Sequence, residues 1–171
     1  MQAGVGAMAG GVLGFLAEKL GAENIKTIIV EPNQADCIYR SGLNAQGDMV
    51  NVGGDLDTIM VGLACGEPNP LGWEVLRNCS THFVSCEDKL GALGMRVLGN
   101  PMADDPRVVS GESGAIGVGL LAGLYYSEDQ QALMDKLELD SDSVVLVFST
   151  EGDTDPSHYR DVVWQGKYAS A

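Results

Sequence analysis

The sequence has few basic residues and no long apolar run. Its 10 Lys and Arg residues stand against 24 Asp and Glu residues, for a formal net charge of −14. A surface this acidic repels nucleic acid and anionic lipid, so the sequence excludes both as main partners. No apolar run reaches the ~18–20 residues that a membrane span requires. Because the apolar N-terminus also lacks the basic flank of a signal peptide, we expect a cytoplasmic location.

The sequence also lacks a metal-ligand pattern. No pair of cysteines has the CxxC spacing, and their separations fit no zinc framework, so no metal site is predicted. The four cysteines are Cys37, Cys65, Cys79 and Cys86. We expect free thiols in a reducing compartment, with a disulfide that involves Cys37 and Cys65 as the alternative. The two histidines, His82 and His158, are interpreted as structural.

Apolar periodicity and turn residues predict an alternation of helices and strands. Helices are expected over residues 8–20, 34–40, 73–79, 87–98, 113–126 and 130–137, with a short one in 58–63. Strands are expected over residues 24–30, 81–85 and 144–148, with short extended pieces at 49–52 and 108–109, and the tail from Ser149 is turn-rich. This order predicts one α/β domain over residues 1–171, with an open, mostly parallel sheet and flanking helices.

A glycine-rich turn, residues 4–11, leads directly into the first predicted helix. Such a turn presents backbone amides at a helix N-terminus, which is a typical phosphate cradle. Two alternatives stay open. The spacing Gly4-x-Gly6-x-x-x-Gly10 with Glu31 after the next strand also fits a loosened dinucleotide fingerprint, and the glycines could serve packing alone. Only three residues precede the turn, so the chain is expected to begin within a fold.

Two further turns combine glycine with hydroxyl and acidic side chains. Residues 149–155 follow the last predicted strand, where α/β proteins bind ligands, or they form an acidic turn that only ends the strand. Residues 110–115 open a helix, and Glu112 there is either a site residue or an acid at the helix N-terminus.

These three turns, in this order, resemble the C-terminal half of a pyridoxal-phosphate (PLP) enzyme of fold type II, the tryptophan synthase β superfamily. Within it the chain most resembles the diaminopropionate ammonia-lyases. The matching blocks are residues 2–12, 30–32, 35–42, 58–60, 62–70, 94–101, 110–115 and 149–155.

The resemblance implies roles for seven residues. Ser149 would face the pyridine nitrogen of pyridoxal 5'-phosphate, and Glu112 would lie near its ring. The phosphate cup would be formed by Gly4, Val5, Gly6, Ala7 and Met8. The complete enzyme would eliminate ammonia from 2,3-diaminopropionate to give pyruvate, as a homodimer that acts in amino-acid catabolism.

The chain departs from the family in the part expected upstream of the phosphate loop, which would also hold the substrate carboxylate and the ring hydroxyl. The family's Schiff-base lysine lies upstream of the phosphate loop, and none of the lysines here stands in a matching motif. They are Lys19, Lys26, Lys89, Lys136 and Lys167. No catalytic residue is therefore expected in this chain, which should be inactive in isolation. The alternatives are a fragment of another fold-type II enzyme, such as a serine or threonine dehydratase, and a non-catalytic nucleotide- or phosphate-binding module.

Overall fold

The structure is a computed structural model that describes residues 1–169. The chain divides into two compact units, the first being Met1–Cys86 and the second beginning at Glu87. The last two residues of the predicted domain, Ser170 and Ala171, lie outside the described residues. The prediction of a single domain over residues 1–171 stays a prediction. Within residues 1–169, every helix is too short or too polar to cross a membrane.

The first unit places helices beside a small parallel sheet. Its elements are α1 (Ala7–Leu20), β1 (Ile28–Pro32), α2 (Cys37–Leu43), α3 (Pro70–Cys79) and β2 (His82–Cys86), with 3₁₀ turns at Ala22–Asn24 and Val61–Leu63. The register of β1 and β2 runs from the pair Ile28 and His82 to the pair Pro32 and Cys86. Gln2 adds a parallel bridge to Val30. Parallel pairing between strands separated by helices confirms the predicted α/β class.

The core of the first unit lies between its helices and β1. Leu13 of α1, Ile29 of β1 and Leu76 of α3 are fully buried in it. Trp73 packs beside Phe83, with ring centroids 5.9 Å apart. Asn69 begins α3, since its side chain accepts a hydrogen bond from Gly72 N at 2.8 Å and Pro70 follows at the first helical position.

The first strand begins about four residues later than the sequence predicts. Residues 24–30 were expected to form it, but Ala22–Asn24 is a turn and the strand is Ile28–Pro32. Thr81 explains the late start, because its hydroxyl accepts from Thr27 N at 3.0 Å and donates to Thr27 O at 2.8 Å. The predicted extended piece at residues 49–52 is also absent, as these residues form no strand.

Helices are the regular secondary structure of the second unit in its described part, and loops connect them. Its helices are α4 (Asp88–Gly99), α5 (Glu112–Tyr125), α6 (Gln130–Lys136) and α7 (Pro156–Val163). The backbones of α4 and α5 touch, because a Cβ on Gly94 would collide with the carbonyl oxygen of Ala115, and one on Gly119 with that of Leu90.

Two predictions about the second unit are wrong. Residues 144–148 and 108–109 form no strand. Val144 is 98% exposed. A strand requires a neighbour to pair with, and no strand lies among residues 87–169. The turn-rich tail also contains a helix, α7, for which the N-cap Asp155 and the first-turn Pro156 are a local signal.

Candidate functional site

The glycine-rich turn lies at the N-terminus of α1, as predicted. Gly6 is the N-cap residue and has φ +83°, a left-handed conformation that favours glycine. The first helical hydrogen bond runs from Gly10 N to Gly6 O, at 2.8 Å. Within the described residues, the backbone amides of residues 4–9 make no hydrogen bond to the protein. They form a consecutive set of donors beside the positive end of a helix dipole.

Neighbouring elements hold this turn in place. Asn69 N donates to Val5 O at 2.7 Å. On α3, a Cβ on Gly72 would stand 2.6 Å from Gly6 O, so the helix backbone approaches the turn directly. The thiol of Cys37 on α2 donates to Gly4 O at 3.7 Å. The shape of the turn is therefore fixed by α2 and α3, while Val5 and Met8 remain exposed.

Glu31, the acid that a dinucleotide site would use, is instead a buried support for α2. It is 1% exposed. Its Oε1 accepts from Ile38 N at 3.0 Å and its Oε2 from Tyr39 N at 2.6 Å. Burial raises the pKa of Glu31 from 4.5 to about 8. A carboxylate enclosed in this way cannot reach the hydroxyls of a ribose, which disfavours the dinucleotide interpretation.

In the second unit, the turn at residues 149–155 packs against the turn at residues 110–115. Ser149 is exposed, and its hydroxyl donates to Oγ of the buried Ser110 at 2.8 Å. Gly111 N donates to Glu151 O at 3.1 Å. Ser149 therefore lies on a supported turn even though no strand precedes it.

The acid that caps α5 is Glu151. Its Oε1 accepts from Ser113 N at 2.6 Å and from Gly114 N at 3.3 Å. Glu112, considered a capping acid from the sequence, is the first residue of α5 and makes no cap hydrogen bond. Its carboxylate lies instead beside His158 of α7, with Oε1 3.3 Å from Nε2. No local signal predicts either contact, because the partners are far apart in the chain.

The cysteines show no sign of disulfide formation or metal binding within the described residues. All four cysteines are free, so the alternative disulfide is not formed. Burial raises the pKa of the Cys37 thiol to about 12, which keeps it protonated. Among residues 1–169, no group of His, Cys, Asp or Glu side chains could hold a metal ion.

Each turn, taken by itself, suits a particular kind of ligand atom. Unpaired backbone amides at a helix N-terminus suit an anion such as a phosphate, and α1 has no acidic residue in its first turn. An exposed serine hydroxyl, held by a buried serine, suits a neutral polar atom. Residues 1–150 match the family of pyridoxal-phosphate dependent enzymes. The chain belongs to that family, and the predicted cofactor, pyridoxal 5'-phosphate, is confirmed as the family's.

Within this family the chain is similar to diaminopropionate ammonia-lyase. It is 66% identical to that enzyme from Escherichia coli (strain K12) over all of its 171 residues, which are 42% of the relative's length. A crystal structure of the Escherichia coli enzyme with an aminoacrylate-PLP azomethine reaction intermediate has a TM-score of 0.94 and 63% identity, covering 100% of this chain and 43% of that one. The chain thus spans less than half of these relatives. The resemblance predicted from the sequence is confirmed.

A more distant structure shares the fold alone. Threonine deaminase isoform 2 from Solanum lycopersicum has a TM-score of 0.76 at 18% identity, over 99% of this chain and 43% of that one.

Proposed function

We propose that the chain is the C-terminal part of a PLP-dependent lyase that eliminates ammonia from 2,3-diaminopropionate, giving pyruvate and ammonia. The observation that carries this proposal is the run of unpaired amides at the N-terminus of α1. The similarity to diaminopropionate ammonia-lyases over the whole chain supports the choice of substrate. An amino acid is a small-molecule substrate, which agrees with the acidic surface that excludes nucleic acid.

The proposed phosphate cup consists of Gly4, Val5, Gly6, Ala7 and Met8. Hydrogen bonds to a charged group contribute about 1.5–3 kcal/mol each. The helix dipole contributes less, roughly 0.3–1 kcal/mol. The amides of the turn therefore supply most of the binding energy, and the dipole of α1 adds to it. The hydrogen bond from Asn69 and the close backbone approach of Gly72 would hold the turn in this shape before the anion binds.

Ser149 is proposed to face the pyridine nitrogen, and Glu112 to lie near the ring. The cofactor, when bound, supplies the electron sink for the elimination. A hydroxyl at the nitrogen leaves it unprotonated, whereas a carboxylic acid would protonate it. An unprotonated ring withdraws electrons only moderately. This suffices for the loss of a β-substituent, since the leaving group departs as the charge develops. Ser110 holds Ser149 in place through their 2.8 Å hydrogen bond. Facing an unprotonated nitrogen, the Ser149 hydroxyl would donate its proton there and accept from Ser110 instead.

The covalent lysine is proposed to lie upstream of this chain, as the resemblance implies. A cytoplasmic location and a homodimeric complete enzyme remain predictions. The other fold-type II activity, a serine or threonine dehydratase, differs in substrate, and a nucleotide-binding module differs in ligand. One experiment separates all three.

The test uses the complete polypeptide, titrated with PLP and with NAD, and assayed with diaminopropionate, serine and threonine. We expect PLP binding without NAD binding, and pyruvate formation fastest from diaminopropionate. Binding of NAD in place of PLP would contradict the proposal, and a preference for serine or threonine would support the dehydratase instead.

A matched pair of variants tests the cup itself. Met8→Glu adds a carboxylate to the first turn of α1. There it repels a phosphate but interacts favourably with the positive end of the helix dipole. We expect PLP affinity to fall at least about tenfold, the effect of roughly 1.4 kcal/mol, with no loss of thermal stability. Phe15→Glu, a change of an exposed residue further along the same helix, is the control and should bind PLP normally. Equal affinities for both variants would place the phosphate elsewhere.

A further inference from the structure

The side chain of His158 is fixed by its helix and its neighbours. Its backbone N–H donates to Asp155 Oδ1 at 3.1 Å, in the capped first turn of α7. The next residue, Tyr159, is buried, and a Cβ on Gly99 of α4 would stand 2.9 Å from its hydroxyl. The imidazole also lies beside Tyr168, with ring centroids 5.9 Å apart. The ring is thus held on a packed helix rather than on a mobile loop.

The Nε2 atom of this histidine is directed towards one carboxylate. It is shielded from solvent and has no hydrogen bond of good geometry within the described residues. Glu112 Oε1 lies 3.3 Å away, and both side chains are mostly buried, at 21% and 16% exposure. A shielded donor without a partner is costly. A small rotation of either side chain completes the hydrogen bond, and such bonds in ligand-free sites often tighten only when the ligand is present.

Glu112 is available for this contact because another acid does the capping. Glu151 takes the amides of Ser113 and Gly114 at the start of α5. Glu112 is the first residue of α5, but its carboxylate does not cap the helix. Two carboxylates near one helix end repel each other, and a donor from His158 favours the observed placement of Glu112.

We propose that His158 is a positioning residue that donates from Nε2 to the carboxylate of Glu112 and so orients it towards the cofactor ring. This inference rests on the proposed function, because it gives Glu112 a place near the ring. His158 itself does not touch substrate or cofactor. It acts through Glu112, and the bond it supplies is a hydrogen bond to a carboxylate, stronger than one between neutral groups.

The first arm of the test compares three variants of the complete polypeptide. His158→Ala removes the donor, His158→Gln returns an amide N–H near the position of Nε2, and His82→Ala is a matched histidine control in the first unit. We expect His158→Ala to lower kcat about tenfold, to leave KM within about twofold and to shift the absorbance band of bound PLP. His158→Gln should recover most of both effects, and His82→Ala should change neither. Failure of the glutamine to rescue, with the protein folded, would overturn the proposal.

The second arm does not depend on the reaction. His158→Ala, Glu112→Gln and the double variant are unfolded in urea, with the midpoint of each recorded. If the pair interacts, the two single changes should not add in the double variant. Additive effects would overturn the inference even in an active enzyme. If the wild-type protein instead binds no PLP, the proposed function fails while this arm still decides whether His158 holds Glu112.

Discussion

At the residue scale, the buried carboxyl of Glu31 sets a pH dependence that the sequence alone did not reveal. Desolvation by burial raises its pKa from 4.5 to about 8, and the negative charge of Asp36 adds to the rise. The amides of Ile38 and Tyr39 oppose it. A carboxyl whose folded pKa exceeds its unfolded value binds its proton more tightly when folded. Its contribution to stability is complete below the unfolded value and is lost as the pH rises towards about 8.

The first prediction follows from this pKa. Wild-type stability should fall as the pH rises from about 5 to about 8, with a contribution from Glu31 on the order of 1.4 kcal/mol per pH unit. Glu31→Gln resembles the protonated form and should remove that slope. Urea unfolding followed by Trp73 fluorescence, in a Trp164→Phe background, measures it. Glu67→Gln, a change of an exposed carboxylate in the same unit, should keep the slope. A slope unchanged by Glu31→Gln would show that Glu31 is charged throughout.

The second prediction concerns Ser149, whose proposed role is to tune the cofactor. Removing one hydrogen bond typically costs ~0.5–1.5 kcal/mol, or about tenfold in rate. Ser149→Ala in the complete polypeptide should therefore slow turnover modestly and shift the cofactor spectrum, and Ser149→Asp should protonate the ring nitrogen and redirect partitioning among products. Ser141→Ala, an exposed serine in the same unit, should do neither. A loss of many orders of magnitude in Ser149→Ala, with PLP bound, would make Ser149 a direct participant.

At the element scale, the proposed cup depends on how closely α3 approaches α1. A Cβ on Gly10 would stand 2.8 Å from the Cα of Gly72, and one on Gly72 would stand 2.6 Å from Gly6 O. No side chain fits between these backbones. The glycine-rich sequence thus serves packing, one of the interpretations that the sequence left open, and the phosphate cradle stays a proposal beside it.

The third prediction uses two glycines that lie in helices. Gly72→Ala should destabilise the first unit by about 1–3 kcal/mol, as overpacking does, and should weaken PLP binding by displacing the turn. Gly11→Ala on α1 meets nothing within 4 Å, so alanine should stabilise the helix by roughly 0.5–1 kcal/mol. Thermal melts and PLP titrations of both variants measure the difference. A neutral Gly72→Ala would mean that α3 does not support the turn.

At the scale of the whole molecule, the chain carries the proposed phosphate and ring-nitrogen contacts, and the covalent lysine is proposed to lie upstream of it. It spans 42% of the length of its ammonia-lyase relatives. The apolar stretch at residues 144–148 also lacks a paired strand within the described part of the second unit. Both observations agree with the expectation that further chain contributes to the complete enzyme.

The fourth prediction is that the isolated 171-residue chain has no ammonia-lyase activity. No lysine stands in a Schiff-base motif, so treatment with PLP and borohydride should label the five lysines weakly and without preference. Mass spectrometry of the digested protein measures the labelling at each site. The complete polypeptide is the positive control, with one lysine expected to be modified fully. A single, fully modified lysine in the isolated chain would contradict the prediction.

Local patterns determined much of the fold. Apolar periodicity predicted α1, and Gly21 marked its end, since these features act within a few residues. The parallel class followed from the alternation of helices and strands, and the place of the cradle followed from glycine spacing before a helix. The helix α7 is equally predictable from Asp155 and Pro156, because an N-cap acid and a first-turn proline also act locally.

Only the tertiary structure decided which partners distant residues meet. Val144 and its β-branched neighbours have strand propensity, but propensity cannot supply a pairing neighbour, so no strand forms among them in the described chain. Glu151 rather than Glu112 caps α5, and Glu112 instead meets His158. The burial that raises the pKa of Glu31 likewise comes from packing. The sequence by itself determined the cradle and the family, because glycine spacing and short motifs act locally. The contacts of the acids depend on how the chain packs in three dimensions.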